Sequence, residues 1–307
     1  MTPTDSVLSL ADLASWPHAG TALAVLGHPI KHSISPALHN AALAELARRD
    51  PKARHAAWKY FRFDVPPADL PAALPLLHRA GFQGLNLTVP HKVIAFAHIA
   101  DIDPAAARIG AVNTLVRTAE GWRGFNTDGY GLATAIRETL GRDLSGSHVI
   151  LLGAGGAARG AAVECLLRGC ASLSIANRTR HNLDALLASI ALLAPTISRR
   201  GFDPAEPPPD LPASAIVINA TSAGLRPDDP APIDPAALPR PAAVFDMIYN
   251  PPLTPLLRTA AKLGLPHANG LSMLVHQGAK SLEIWTGVPA VQTAPTMAQA
   301  ANVALGL

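Results

Sequence analysis

Cysteine is almost missing from this chain of 307 residues: Cys165 and Cys170 are the only two. They stand five residues apart without nearby metal-ligand partners, which excludes a disulfide framework and a zinc site built on thiolates. Charge is also sparse, at 15% of residues, with a formal net charge of +3 and no Lys/Arg block. Such a balance tolerates small anionic ligands but makes no case for nucleic acid. No apolar run reaches bilayer length, and the start of the chain carries Asp5 and Asp12 in place of a basic segment before an apolar core. Neither a membrane span nor a secretory signal is therefore expected, and the expected compartment is the cytoplasm.

What is present is a high apolar content, 49% of residues, the profile of an ordered chain rather than a disordered one. The length suits two domains, each able to bury a core.

One stretch organises the rest. Val149 to Gly160 reads V-I-L-L-G-A-G-G-A-A-R-G, an apolar run of strand length that ends in glycines and continues into small helix formers. This is the strand, tight turn and helix of a mononucleotide-binding unit, in the form GxGxxA. Gly153 suits the sharp turn, Gly155 lets backbone N–H groups approach a pyrophosphate, and Ala158 lets the helix pack closely on the strand. Orphan N–H groups at the new helix start, aided by its dipole, make an anion site. A second apolar run, Ser172 to Ala176, ends in Asn177, Arg178 and Thr179. An NAD site carries an acid at that strand end to accept from the ribose 2′-OH, whereas arginine suits a 2′-phosphate. NADP(H) is therefore the expected cofactor, the alternative being that Arg178 and Arg180 are solvated loop charges.

Earlier in the chain, Ala22 to Leu26 reads as a buried strand after a polar lead (1–20) placed only as an extra turn or short helix. Ser35 and Pro36 then start a helix, serine at N-cap and proline at N1. The hydroxyls of Ser33 and Ser35 thus sit at a positive helix end that can hold a carboxylate; the plainer reading is that one caps and the other turns the chain. His32 and His39 read as structural. A strand around Tyr60 to Val65 and a helix near Leu70 to Ala80 follow. Gly84 to Val89 is β-rich, with Asn86 and Thr88 on one face by the two-residue period. Pro90 opens a helix with Lys92 in its first turn, the unfavourable end of the dipole for a cation. Lys92 reads as placed for chemistry, against the ordinary surface lysine.

Ile109 to Thr114 and Gly124 to Gly129 bracket a hairpin, with Asn113 and Asp128 at its two ends. Asp128 also suits the start of a helix from about Tyr130 to Leu140, so capping is open for it. Beyond the glycine turn, Ile216 to Asn219 is a buried strand ending in N-A-T-S-A-G, and Val244 to Tyr249 a further one. Thr254 and Pro255 start a helix, and Asn269 to Gly287 forms another with Gln277 the polar residue beside its inward stripe. The proline-rich segments 203–212 and 227–241 read as surface loops.

Taken in order, G-x-P-x-x-H-S-x-S-P-x-x-H-N, N-x-T-V-P-H-K, G-A-V-N-T, N-T-D-G, G-A-G-G-A, N-R-T, N-A-T-S-x-G, D-M-x-Y-N and M-L-x-x-Q resemble the shikimate dehydrogenase family, from about Val25 to Gly287. The resemblance implies NADP-dependent, reversible reduction of 3-dehydroshikimate to shikimate in aromatic amino acid (chorismate) biosynthesis. It implies that Ser33 and Ser35, assisted by Tyr249, hold the substrate carboxylate. Asn86, Thr88, Asn113, Asp128 and Gln277 match residues that hold ring hydroxyls, and Lys92 with Asp128 match the active pair. Gly153, Ala154, Gly155, Gly156 and Ala157, with Asn177, Arg178 and Thr179, match the dinucleotide site; Thr221, Met247 and Gly270 match positions on its nicotinamide side. Many NADP-preferring members carry a second basic residue where this chain has Asn182, while Arg180 lies two residues earlier.

The expected fold class is α/β with two domains. Residues 1–127 plus 270–307 form an α/β substrate-binding catalytic domain, and 128–269 a Rossmann-like, doubly wound NADP-binding domain. Because the chain crosses twice, hinge closure about a cleft is expected. The expected partner is a small-molecule substrate, the chain being a monomer or homodimer. Lys92 either passes a proton to the substrate oxygen or only stabilises its charge. The rivals are a quinate/shikimate dehydrogenase with broader substrate and cofactor use, and a nucleotide-sensing homologue without turnover; the presence of both Lys92 and Asp128 argues against the second.

Overall fold

Two separate β-sheets divide the chain in the computed structural model, which describes residues 6–16, 22–226 and 228–307. Parts of the polar lead (1–5 and 17–20), Thr21, and Pro227, which opens a proline-rich loop, lie outside the described residues. One unit comprises Met1–Thr127 with Val275–Leu307, the other Asp128–Leu274.

In the first unit the strands are β1 (Val7–Leu8), β2 (Ala22–Gly27), β3 (Lys59–Asp64), β4 (Gly84–Leu87), β5 (Asp101–Ile102), β6 (Thr114–Arg117) and β7 (Trp122–Phe125). Among the described residues they make one sheet in the order β1-β3-β2-β4-β6-β7-β5. β2 lies between β3 and β4 and is parallel to both; as expected of a strand covered on both faces, it is a continuous apolar run with every residue buried. β6 and β7 are the hairpin, antiparallel to each other, with β6 antiparallel to β4. The helices are α1 (Ser35–Arg49), α2 (Leu70–Arg79), α3 (His91–His98) and α4 (Pro104–Ile109).

The described part of the lead, 6–16, is more than a polar turn. β1 adds to the sheet edge beside β3, and Leu10–Ser15 form a 3-10 helix closed by a Ser9/Asp12 capping box. Trp16 then stacks on Phe82, ring centroids 4.9 Å apart, and meets Phe61 edge-on at 5.0 Å. Two boundaries also differ from the sequence reading. Ile34, not Ser35, is the N-cap of α1, so Ser35 is its first helical residue; the hydroxyl facing an orphan helix N–H is that of Ser33, 3.4 Å from Ser35 N. Thr88 lies just past the end of β4.

The second unit contains α5 (Asp128–Leu140), β8 (His148–Leu152), α6 (Gly156–Leu167), β9 (Ser172–Ala176), α7 (Arg180–Ser189), β10 (Ser198–Phe202), β11 (Ile216–Asn219), β12 (Ala243–Asp246), α8 (Pro255–Lys262) and β13 (His267–Ala268). Its six described strands are all parallel, in the order β10-β9-β8-β11-β12-β13. That order starts in the middle, runs outward one way and then returns to run outward the other, the doubly wound dinucleotide-binding topology, and it places the switch point between β8 and β11. β12 ends at Asp246, so Met247 to Tyr249, read as strand from sequence, belong to the loop that follows.

From α9 (Leu271–Thr286) the chain re-enters the first unit at Val275, and α10 (Ala290–Leu305) packs along α1. Trp285 anchors the return: its indole N–H donates to the Leu115 carbonyl at 2.9 Å. The ring occupies the space where Gly84 has no side chain, since a Cβ there would overlap it.

Candidate functional site

In the second unit a cavity of about 550 Å³ opens at the carboxyl ends of β8, β9 and β11, lined by Gly153, Ala154, Gly155, Asn177, Arg178 and Thr221. Gly153 has φ +110°, and a Cβ on it would press on Thr221 Cγ2 at 3.0 Å and the Ala220 carbonyl at 3.1 Å. Gly155, the N-cap of α6, is extended, and a Cβ there would meet nothing within 4 Å, so its outer side is open. Ala158 is fully buried against the strand. The turn thus combines a residue that must be glycine, an unobstructed backbone and a helix start with orphan N–H groups, which suits a pyrophosphate.

At the end of β9, Asn177 Nδ2 donates to the Thr179 carbonyl at 2.8 Å and closes the turn that presents Arg178 to solvent at the cavity wall. Arg180 is used elsewhere: its Nε lies 2.9 Å from both carboxylate oxygens of Asp184. Asn182 is exposed on α7.

Thr221 is held from below. Asn219 Oδ1 accepts from both the Thr221 N–H (3.0 Å) and its hydroxyl (2.7 Å), and Asn219 Nδ2 donates to Asp246 at 2.9 Å. Asp246 is fully buried, accepts also from Ile248 N and from the Thr254 hydroxyl at 2.6 Å, and burial pushes its carboxyl above the ordinary aspartate range. Thr254 in turn caps α8. The sequence marks Asn219 only as a strand end and Thr254 only as a helix start, and it does not single out Asp246, although a quoted motif begins there. Met247 and Gly270 do not line the cavity. They pack backbone to backbone, Gly270 N donating to the Ile248 carbonyl at 3.1 Å, and a Cβ on Gly270 would overlap the Met247 carbonyl. Tyr249 follows them half-buried, and burial pushes its phenol up, which keeps it an O–H donor near neutral pH.

The first unit assembles its own polar cluster. Ser33 and Ser35 are half-buried at the start of α1, and Arg62 fixes the turn before them by donating to the Lys31 and Ser33 carbonyls at 2.9 and 3.0 Å. Lys92 is half-buried in the first turn of α3, and its carbonyl accepts from Val112 N at 3.0 Å, tying that turn to the residue before Asn113. Asn113 is 1% exposed. Its Oδ1 accepts from Thr127 N and from the Thr114 hydroxyl, both at 2.9 Å, while its Nδ2 lies 3.0 Å from Thr127 Oγ1 and 3.4 Å from Gln277 Oε1. Asn86 lies behind it: Nδ2 donates to the Asn113 carbonyl at 3.0 Å, and Oδ1 accepts from the Tyr60 hydroxyl at 2.7 Å. Tyr60 stacks flat on His39, centroids 4.1 Å apart, and burial drives that imidazole down to about 3, so it is neutral packing as the sequence implied. Asp128 begins α5 directly after Thr127.

The two thiols are free and buried, and burial raises both, Cys170 to about 11, so neither is a nucleophile near neutral pH. Among the described residues no three His, Cys, Asp or Glu side chains gather as a metal site, and no helix is long and apolar enough to cross a membrane.

Two family models match the chain: the shikimate dehydrogenase substrate binding domain over residues 25–115 and the shikimate 5′-dehydrogenase C-terminal domain over 270–293. A shikimate dehydrogenase (NADP(+)) of Symbiobacterium thermophilum is 40% identical over 272 residues, covering 87% of this chain and 90% of the relative. Among solved structures, shikimate 5-dehydrogenase from Thermus thermophilus in complex with NADP(H) and shikimate superposes with a TM-score of 0.79 at 35% identity, covering 92% of this chain and 99% of that one. A ligand-free 5-ketofructose reductase of a Gluconobacter species gives 0.80 at 31% identity, covering 92% and 98%.

Proposed function

The chain belongs to the shikimate dehydrogenase family, and from that premise we propose that it catalyses the NADP-dependent, reversible reduction of 3-dehydroshikimate to shikimate. The observation that carries the reading is the pair of built sites on this chain. The cavity at the switch point has a glycine turn open to phosphate and Arg178 at the next strand end. The cluster in the first unit holds Asn113 through buried hydrogen bonds and sets half-buried Gln277 beside it, 3.4 Å away.

NADP(H), when bound, supplies or takes the hydride. The backbone of Gly153 to Ala157 would hold its pyrophosphate, Asn177 to Thr179 its adenosine end with Arg178 on the 2′-phosphate, and Thr221 its nicotinamide side, to which Met247 and Gly270, beyond the cavity lining, are matched by the family resemblance alone. The remaining work falls to the chain's own groups. Hydride arriving at a ketone carbon builds negative charge on oxygen, and Lys92 as an ammonium stabilises that charge or donates the proton that quenches it. Asp128 orients Lys92 and accepts from a ring hydroxyl. Thr88, Asn113 and Gln277 bind the hydroxyls, with Asn86 bracing Asn113 from behind. A carboxylated ring needs an anion site at one end, and Ser33, Ser35 and the Tyr249 O–H supply donors for it. The first unit with the C-terminal helices is thus the substrate domain and the second the NADP domain. The enzyme works in the cytoplasm on a small molecule, as a monomer or homodimer.

Steady-state absorbance at the NADPH band tests the proposal. Shikimate with NADP+ is expected to turn over with a kcat/KM at least about tenfold above quinate or NAD+ as alternatives, and 5-ketofructose with NADPH is expected to give no rate. Failure of shikimate with either cofactor rejects the reading, and quinate matching shikimate moves it to the broader rival.

A further inference from the structure

We propose that Ser281, on α9 one turn beyond Gln277, is a positioning residue that fixes which face of the Asn113 amide is offered to a substrate hydroxyl. The proposal rests on the functional reading above. Serine in a helix interior ordinarily turns to solvent or weakens the helix. Ser281 makes the back-bond to the turn below but does not face solvent: it is fully buried, inside the first unit, among four hydrogen-bonding neighbours. Its Oγ lies 2.8 Å from Thr114 Oγ1, 3.2 Å from Thr127 Oγ1, 3.0 Å from Asn86 Nδ2 and 3.0 Å from the carbonyl of Gln277 itself.

Counting protons gives this cluster a direction. Asn86 Nδ2 can only donate, so Ser281 accepts from it. Each of the three hydroxyls has one proton, and one order that satisfies the short contacts runs from Thr127 to Ser281, from Ser281 to Thr114 and from Thr114 to Asn113 Oδ1, with Asn113 Oδ1 a second acceptor for the Thr127 proton at 3.3 Å. The Gln277 carbonyl is a second acceptor for the Ser281 proton. Asn113 Oδ1 then accepts from the Thr114 hydroxyl and Thr127 N–H at 2.9 Å, with the Thr127 hydroxyl at 3.3 Å. Its Nδ2 is left directed at Thr127 Oγ1 and Gln277 Oε1. The amide is locked with N–H toward Gln277, and a hydroxyl bound there must accept from Asn113. Without the Ser281 hydroxyl, Thr114 keeps a donor in Asn86 Nδ2 at 3.1 Å but loses its 2.8 Å partner, so fewer contacts hold its proton toward Asn113 Oδ1. The Thr114 bond that helps discriminate the Asn113 oxygen from its nitrogen is then weakened, and the helix turn bearing Gln277 loses its tie to the strand ends. A wrongly turned amide faces the substrate hydroxyl with an acceptor, which specifically weakens binding of that hydroxyl.

The test compares Ser281→Ala, Thr114→Val and the hydroxyl-retaining Thr114→Ser with the wild type. Wild-type turnover of shikimate is measured first; its absence rejects the functional reading itself. With the wild type active, Ser281→Ala and Thr114→Val are each expected to raise KM for shikimate about tenfold. KM for NADP+ and kcat are expected to stay within about twofold. Thr114→Ser is expected to stay near wild type, and the Ser281→Ala/Thr114→Val double variant to be no worse than either single one, because both cut one chain of bonds. An unchanged KM for shikimate overturns the proposal. So does a parallel loss in kcat and both KM values that follows Tm, which is the signature of a merely structural serine. Should Ser281→Ala not fold, the Thr114 pair decides by the same criteria.

Discussion

Arg180 is bound to Asp184 through an Nε that lies 2.9 Å from both carboxylate oxygens, and this leaves Arg178 as the guanidinium lining the nucleotide cavity. The proposed contact with a 2′-phosphate accordingly falls on one side chain. Arg178→Ala is expected to raise KM for NADP+ by about 10-fold to 100-fold, the worth of a charge-assisted hydrogen bond, while KM for NAD+ stays within about twofold. Arg180→Ala is expected to change either value by less than about threefold. Equal losses for both cofactors in Arg178→Ala would reject the phosphate role.

Lys92→Ala and Asp128→Asn are each expected to lower kcat by about 10² or more, with a smaller change in KM for shikimate, as befits groups that act on the developing charge. Near-normal turnover in either variant would remove the proposed pair.

His39 makes stability depend on pH. Above about 6.5 its ring is neutral whether the chain is folded or not; below that the unfolded chain takes up a proton that the folded chain refuses until about pH 3. Stability from this group is therefore intact above pH 6.5 and is lost as pH falls through that window, by at most about 1.4 kcal/mol per pH unit. His39→Phe keeps an aromatic face against Tyr60 and is expected to lose less stability between about pH 7 and pH 5 than the wild type, read from urea midpoints. Parallel shifts in the two proteins would show that His39 is not the group responsible.

Gly84→Ala places a methyl where the Trp285 indole lies. The ring has to move off the sheet and weaken its bond to the Leu115 carbonyl. A loss of about 1–3 kcal/mol is expected from such overpacking, visible as a lower urea midpoint with altered tryptophan fluorescence. An unchanged midpoint and spectrum would mean that the packing there is looser than described.

Much of this molecule was readable from spacing, because the nucleotide-binding half is written in short-range terms. An apolar run, a glycine turn and a small-residue helix are neighbours in sequence, so 148–167 and the strand Ser172–Ala176 emerge without tertiary information. β10, S-R-R-G-F, escaped notice because an edge strand with half-exposed faces has no apolar alternation to betray it. Trp16 escaped because a lone aromatic in a polar lead has no period, and its value lies in Phe61 and Phe82, far along the chain. The cap of α1 slipped by one residue since Ser33 and Ser35 are equally good cap types, and only the backbone of Ile34 decides between them. In the polar cluster of the first unit, Asn86, Asn113 and Gln277 stood out as polar residues in apolar company. Ser281 did not, because a serine inside K-S-L-E is ordinary until Thr114 and Thr127, more than 150 residues away, are seen against it.

The return of the chain from α9 onward sets an order of assembly. The second unit is one uninterrupted stretch, Asp128–Leu274, and can form its sheet as soon as that stretch has been synthesised. The first unit has all its described strands early but not their cover: the indole that fills the hollow over Gly84 and the helix packed along α1 both come from Val275–Leu307. During translation the side of the first unit's sheet met by Trp285 waits uncovered until Val275–Leu307 has been made, and in that interval its apolar residues are open to wrong partners.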